Sequence, residues 1–362
     1  MNLSLIWLNL IFNNNYSTII NLLNFLDLKS NIMELPITNW KQYELSSEIL
    51  EKISSQKFKD MANNILGFCN KNNIKIVNIF DEIYPKNLIQ IQNPPTLLYY
   101  RGQLLPEDEC SISVVGSRSC TQYGILATEK IVSDLSKNNV TIISGMARGI
   151  DAIAHYAALN SNYRTIAVLG SGVNVIYPQC NKELYYKIVN NGAIISEFLP
   201  NTKPYSWNFP TRNRLISGMS FGTLVVEATI KSGTMITANW AGDQGKNVYA
   251  IPGNIFSEQS KGTNKLISEG AKIVNTATDI LEDLHTIIKY ELNSIKSPKL
   301  NKEEKLVFEL ISHTPISIYE ISARSSLPIA KLNPILTILE INGYIKKLAG
   351  DNFIRDSKYI VL

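Results

Sequence analysis

Ser144-Gly145-Met146-Ala147-Arg148-Gly149-Ile150-Asp151 lies between a β-branched run, Val140-Thr141-Ile142-Ile143, and a helix-like run from Ala152 to Asn160. Small residues at a strand-to-helix turn let backbone amides approach an anion, and a helix N-terminus adds partial positive charge. An arginine in the turn strengthens the case for a phosphate ligand. The segment alone reads as a phosphate site on an α/β sheet.

The same strand–turn–helix pattern repeats outward from this point. Strands are expected at Ser111–Val115, Val140–Ile143, Thr165–Leu169, Ala193–Ile195, Gly222–Val226, Asn247–Ile251 and Ala271–Val274, with helical segments between most of them. Alternating β and α elements imply a parallel sheet covered on both faces. Ligands of such sheets sit outside the carboxyl ends of the strands. The loops 116–120, 144–151, 170–174 and 227–234 all follow strands, so one edge can gather them.

Residues 1–70 read as a small helical domain, since Leu and Ile recur periodically and the first glycine is Gly67. Ile74–Ile79 reads as a short strand. Tyr84-Pro85 through Pro94-Pro95 and Leu97–Gly102 form a proline-punctuated lead-in to the core, which spans 71–290. Residues 291–302 read as a linker. Three helical stretches (303–312, 317–324, 328–341) and a hairpin over 343–355 then give 303–362 the outline of a winged helix. Pro334 falls inside the third of these helices, where proline costs about 3 kcal/mol. The polar residues there, Lys331, Asn333, Glu340 and Asn342, add no net charge, which argues against that helix as a reader of DNA.

A chain of 362 residues is long enough for two or three domains. Cys69, Cys110, Cys120 and Cys180 form no CxxC pair, and His155, His285 and His313 are scattered, so no metal or cofactor is expected. Unpaired thiols suit a cytoplasmic protein. Met1–Phe12 is apolar but lacks a basic leader and a cleavage site, and no apolar run is long enough to span a membrane.

The formal net charge of +4 rules out a polybasic chain, but the charge is unevenly spread. Residues 1–110 carry 9 Lys/Arg against 11 Asp/Glu, residues 111–275 carry 15 against 9, and residues 276–362 carry 11 against 11. The excess lies in the α/β core, where an anionic partner is expected. Only 8 of the 35 basic residues are arginines, yet Arg118, Arg148, Arg212 and Arg214 all fall in Gly-, Ser- or Asn-bearing loops. Arginine offers phosphate a planar fork that lysine lacks.

Individual motifs admit plainer readings. Gly116-Ser117-Arg118 closes a strand; a tight turn explains the glycine but not the arginine. Gly170-Ser171-Gly172 resembles a dinucleotide fingerprint, with Glu197 as ribose-binding acid, but Val175 occupies the third glycine position and Tyr177-Pro178 delays the helix. Phe209-Pro210-Thr211-Arg212-Asn213-Arg214 is either a phosphate clamp or an arginine pair bonded to carbonyls or to Glu197 and Glu227. In an extended segment both arginines point one way; in a helix they diverge. Gly233-Thr234 either holds a phosphate or caps a helix over Met235–Gln244. Asp151 and His155, at i, i+4, read better as a dipole-stabilising acid and a structural histidine than as a catalytic pair.

Together these segments resemble the DNA-processing protein A (Smf) family, the recombination mediators of natural transformation. The resemblance runs from about Tyr84 to Asn275 through Val115–Arg118, Ser144–Asp151 with His155, Val168–Gly172, Tyr177-Pro178, Ile195–Glu197, Arg212–Arg214, Val225–Ala228, Ser232–Thr234, Ile251–Gly253, Gly262–Asn264 and Gly270-Ala271. It implies an extended Rossmann-like core with a helical N-terminal domain and a winged-helix C-terminus. It also implies binding of single-stranded DNA without strong sequence preference, dimerisation through the core, and contact with the RecA recombinase, with no catalytic activity. By position, Arg118, Lys203, Arg212 and Arg214 would line a DNA-phosphate pocket. Gly116, Ser117 and Gly145 would contribute backbone, and Phe209 would stack on a base. The alternative is a nucleotide-monophosphate phoshoribohydrolase with Glu227 as general acid/base.

Overall fold

The computed structural model describes residues 1–25, 32–41, 43–284, 300–312, 315–342, 344–348 and 350–355. Two compact units result, Met1–Glu282 and Asp283–Leu362. Most of the expected 291–302 linker, and the whole of its 291–299 part, lies outside the described residues.

Nine strands form the sheet of the first unit: β1 (Lys75–Asn78), β2 (Leu97–Gly102), β3 (Ser111–Val115), β4 (Thr141–Ser144), β5 (Thr165–Val168), β6 (Ala193–Ser196), β7 (Gly222–Val225), β8 (Asn247–Ala250) and β9 (Lys272–Ile273). Their order is β1-β2-β6-β5-β4-β3-β7-β8-β9. β3 to β9 are parallel, and β2 and β1 extend the sheet antiparallel beyond β6. The central strands are buried along their whole length, as the near-continuous runs of Ile, Val and Leu dictate for a sheet covered on both faces. β2 was not expected as a strand. Its Leu97-Leu98-Tyr99-Tyr100 run is nonetheless buried, and the prolines stop just before it.

The chain runs from β3 outward to β6, then returns to place β7 on the other side of β3. The loops after β3 and β7 therefore leave neighbouring strand ends in opposite directions. That reversal opens a crevice at the carboxyl edge of the sheet.

The N-terminal helices have their own apolar cluster, built around Trp7, Trp40, Leu5, Leu8 and Ile19. They belong to the same compact unit as the sheet. Leu97 of β2 joins their cluster, and the buried Asn9 amide donates to Thr96 Oγ1 at 2.8 Å. Among the described residues no helix is long and apolar enough to cross a membrane.

The second unit has helices Lys302–Leu310, Ile318–Ser325 and Ile329–Ile341 and three short strands, β10 (Ile316–Ser317), β11 (Ile345–Leu348) and β12 (Asn352–Arg355), in the order β10-β12-β11. This is a winged-helix arrangement. Pro334 does lie inside the third helix, on its exposed side. Leu332, Ile335, Leu336 and Leu339 of that helix hold it to the small core with Val307, Phe308 and Ile321.

Candidate functional site

The crevice between the β3 and β7 loops is a cleft of about 630 Å³. One wall is Gly116–Ser119, and another is the start of helix Gly233–Asp243 with Ser232, Gly233, Thr234 and Thr237. The floor is Phe209, Arg212 and Asn213 from helix Asn208–Gly218, with Ala147, Asp151 and Tyr177 alongside.

Arg118 is exposed at the cleft mouth, its guanidinium 5.9 Å from the centre of the Phe209 ring. Among the described residues it forms no ion pair. Ser117 is committed to the loop itself. Its amide donates to the Glu227 carbonyl at 2.8 Å, its carbonyl accepts from the Ile150 amide at 3.2 Å, and its Oγ accepts from the Ser119 amide at 3.1 Å. Gly116 packs directly on the Ile150 side chain. Gly149, at φ +75°, needs a left-handed backbone and lies where a side chain would strike the Ser117 carbonyl, so glycine is required at this crossing of two loops.

The two arginines of the Arg212-Asn213-Arg214 segment diverge, because the segment is helical and residues two apart point to nearly opposite sides. Arg212 is 4% exposed. Its Nη1 donates to the carbonyls of Val168 and of Gly145, the latter at 3.1 Å, and its Nε donates to Asn213 Oδ1 at 3.1 Å. Burial lowers its pKa to about 10, with Arg118 adding to the effect and Asp151 opposing it. Arg212 thus forms the cleft floor while its Nη1 ties the ends of β4 and β5 to the helix.

Asp151 faces it. Burial pushes its carboxyl up, while Arg212 and the amides of Ala147 and Gly145 pull it back. The Gly145 amide, expected to serve a ligand, donates instead to Asp151 Oδ2 at 3.2 Å. A Cβ on Gly145 would lie 2.8 Å from that oxygen and 2.9 Å from the Arg212 guanidinium, so the site demands glycine for packing.

Arg214 does not line the cleft. It is buried on the far side of the helix, where it pairs with Glu197, donates to the Asn93 carbonyl at 3.0 Å and lies 5.6 Å from the centre of the Tyr16 ring. Tyr16 donates to Glu197 Oε2 at 2.9 Å. The expected phosphate clamp is therefore half a structural ion pair between the sheet and the N-terminal helices. Lys203 is exposed on the loop before the helix, next to cleft-lining Pro204 but not among the lining residues itself. Phe209 lies in the cleft at the centre of an aromatic–cation cluster, 5.6 Å from Tyr177 and 5.8 Å from the Arg212 guanidinium. Arg148 is exposed outside the cleft lining.

The wall at Ser232–Thr234 was read from the sequence as phosphate-holding or self-capping. Helix Gly233–Asp243 has no side-chain cap, and Ser232 Oγ is buried without a partner. The start of this helix, at Gly233 and Thr234, lines the cleft, and a helix N-terminus attracts anions.

Other readings lose their geometry. Glu227 is buried facing away from the cleft and accepts from the Thr121 amide at 2.8 Å and the Thr121 hydroxyl at 2.5 Å. That leaves its carboxylate as the anchor of helix Gln122–Lys137, outside the cleft lining. Glu197 is held by Arg214 and Tyr16, so it is no ribose ligand. Gly172 is closed over by the 199–202 loop, its amide donating a hydrogen bond to the Thr202 carbonyl at 2.9 Å, and Gly170 is backed by the Phe209 ring. His155 is fully buried, with Nδ1 donating to Thr165 Oγ1 at 2.6 Å, because that hydroxyl is itself donated to the Ile142 carbonyl. Burial, helped by Arg212, lowers its pKa to about 3, so it is a neutral structural residue.

Fold and cleft define a Rossmann-like protein with a cleft at its topological switch point, lined by an exposed guanidinium and a helix N-terminus, and with a winged-helix domain. The chain belongs to the family described as DNA recombination-mediator protein A, which residues 75–285 match, and residues 296–351 match the DprA winged helix domain. DNA processing protein DprA of Streptococcus pneumoniae is 42% identical over 205 residues, covering 57% of this chain and 72% of that one. The crystal structure of DprA from that species matches with a TM-score of 0.59 at 36% identity, over 70% of this chain and 93% of the other. A structure of DNA processing protein A from Helicobacter pylori, solved for its single-stranded DNA binding mode, matches with a TM-score of 0.53 at 29% identity, over 59% and 96%.

Proposed function

We propose that this chain binds single-stranded DNA through its phosphates in the switch-point cleft and acts without catalysis as a recombination mediator. The observation that carries this reading is Arg118, exposed and without an ion pair among the described residues, opposite an uncapped helix N-terminus. Arg118 and the first-turn amides of Gly233 and Thr234 engage phosphate oxygens, and Lys203 extends the positive surface past the cleft. Gly116, Ser117, Gly145 and Arg212 shape the floor and walls, and Phe209 presents an aromatic edge to the strand. Arg214 is left out of the DNA contact. The helical region 1–70, the core 71–290 and the winged unit 303–362 are the proposed functional parts, joined by a linker over 291–302. Family membership supports two further steps: assembly as a homodimer through the core, and loading of a RecA-type recombinase onto the bound strand in the cytoplasm.

The test is binding of labelled oligo-dT and a matched duplex at two salt concentrations. Single strands should bind in preference to duplex, with affinity falling as salt rises. Arg118→Ala should weaken binding about equally for unrelated sequences. Binding that ignores salt, or is untouched by Arg118→Ala, overturns the reading.

A further inference from the structure

The loop leading into helix Asn208–Gly218 carries two aromatic rings that the core does not use. Tyr205 and Trp207 lie parallel, 4° apart with centroids 4.7 Å apart, as an offset stack. Trp207 is 67% exposed and Tyr205 44% exposed. Tryptophan is among the residues most thoroughly covered in folded proteins, so a ring held out in water needs a reason. The pair alternates along the chain with residues of the cleft, since Pro204, Ser206 and Phe209 all line it.

The loop under the rings is fixed. The Tyr205 amide donates to the Lys203 carbonyl at 2.9 Å, and the Asn208 amide donates to the Tyr205 carbonyl at 3.0 Å. The buried Asn208 side chain donates to the Gly170 carbonyl at 3.0 Å and the Lys203 carbonyl at 3.3 Å, and Thr211 Oγ1 donates to the Trp207 carbonyl at 3.2 Å. The rings are thus presented by ordered backbone, and their inner faces are spent on each other. Trp207, the more exposed of the two, keeps most of its surface available to a flat, apolar, polarizable partner. Exposed Lys203, two residues before Tyr205, adds charge beside them.

We infer that the Tyr205–Trp207 pair is a base-stacking platform at the rim of the cleft, on which a base of the bound single strand continues the stack over Trp207. The inference rests on the DNA reading above and deepens it. The cleft grips phosphates, and the platform holds a base outside it without regard to sequence, because every base offers a π-face. A protein partner docking on the rings is the competing occupant.

Fluorescence anisotropy of labelled dT20, and of the same strand carrying a central run of abasic residues, decides between them with the full chain. Trp207→Ala should weaken dT20 binding about tenfold, Trp207→Phe should retain most of the affinity, and neither should change the salt slope. Replacing bases by abasic residues should cost the wild type about as much as Trp207→Ala does, and should cost the variant little more. Tryptophan emission of the wild type should be quenched by dT20 and that quenching lost in Trp207→Phe. Undiminished affinity in Trp207→Ala, beside a loss in Arg118→Ala, overturns the platform and leaves the phosphate reading standing. A changed salt slope in Trp207→Ala, or abasic and alanine losses that simply add, also overturns it. Absence of any dT20 binding by the wild type removes both.

Discussion

Replacing Arg214 by alanine should damage the fold and leave the DNA cleft chemically intact. The residue is 8% exposed and its partner Glu197 is 6% exposed, so the ion pair is shielded from water. The substitution removes the guanidinium from Glu197, its hydrogen bond to the Asn93 carbonyl and its position over the Tyr16 ring. Among the described residues Tyr16 then remains as the one neighbour donating to the carboxylate. Breaking one side of a buried pair costs about 3–5 kcal/mol, because the surviving charge is stranded. Against a typical domain stability of about 5–15 kcal/mol that is about a fifth or more.

The loss has a place and a pH dependence. Tyr16 begins the second N-terminal helix, so the N-terminal cluster should loosen first. Trp7 and Trp40, fully buried with their rings edge-to-face at 5.7 Å, report on that cluster by fluorescence in urea. Burial already pushes the Glu197 carboxyl up against the pull of Arg214 and Tyr16. Without Arg214 the charged form loses its counter-charge and the folded-state pKa climbs further. A raised folded pKa gives stability that is present at low pH and lost as pH rises, so the deficit of Arg214→Ala should be largest near pH 8 and narrow toward pH 5. Arg214→Met combined with Glu197→Gln keeps an acceptor for Tyr16 and removes both charges, and should recover most of the loss. A single variant within about 0.5 kcal/mol of the wild type at pH 8, the range of an ordinary surface change, refutes the reasoning.

Two further outcomes follow from buried groups near the cleft. His155, with a folded pKa of about 3 against about 6.5 unfolded, is neutral in the fold and charges on unfolding. It should make the protein lose stability as pH falls below about 6.5, at about 1.4 kcal/mol per pH unit, and His155→Asn should flatten urea-midpoint profiles between pH 6.5 and 4.5. Glu227→Gln should lower thermal stability by about 1–3 kcal/mol, since it weakens the anchor at Thr121. Neither it nor the wild type should release free base from nucleoside monophosphates; turnover by the wild type that the variant lacks would restore the hydrolase alternative.

The parallel sheet was legible because its strands are continuous apolar runs closed by glycine-bearing turns, a pattern few other folds produce. β2 escaped because Pro94-Pro95 reads as a break; the antiparallel seat beside β6 that β2 fills is a property of the assembled sheet. The cationic character of the core was legible in the positive excess of residues 111–275 and in arginines placed in loops. Which arginine meets the ligand was not, because that depends on how the segment 208–218 turns. As a helix it sends Arg212 inward under the cleft and Arg214 to the opposite side, toward Glu197. The Ser232 wall was half legible: Gly-Thr marked a helix start, but only the packed structure leaves its end uncapped.

This division of labour has a physical logic. If the cleft holds a flexible polyanion by backbone amides and one exposed guanidinium, as proposed, those groups must be kept in place while they lack a ligand, or ordering them reduces the affinity. Arg212 is the device that does so: it is bonded to the strand ends at Gly145 and Val168, and Asp151 is bonded to the turn amides beside it. A buried guanidinium is costly to desolvate, as its lowered pKa records, and Asp151 and the carbonyls compensate for that cost. On the DNA reading proposed above, the two arginines of this cleft therefore have unequal roles: Arg212 maintains the shape of the floor, from which Arg118 would present its charge to a phosphate.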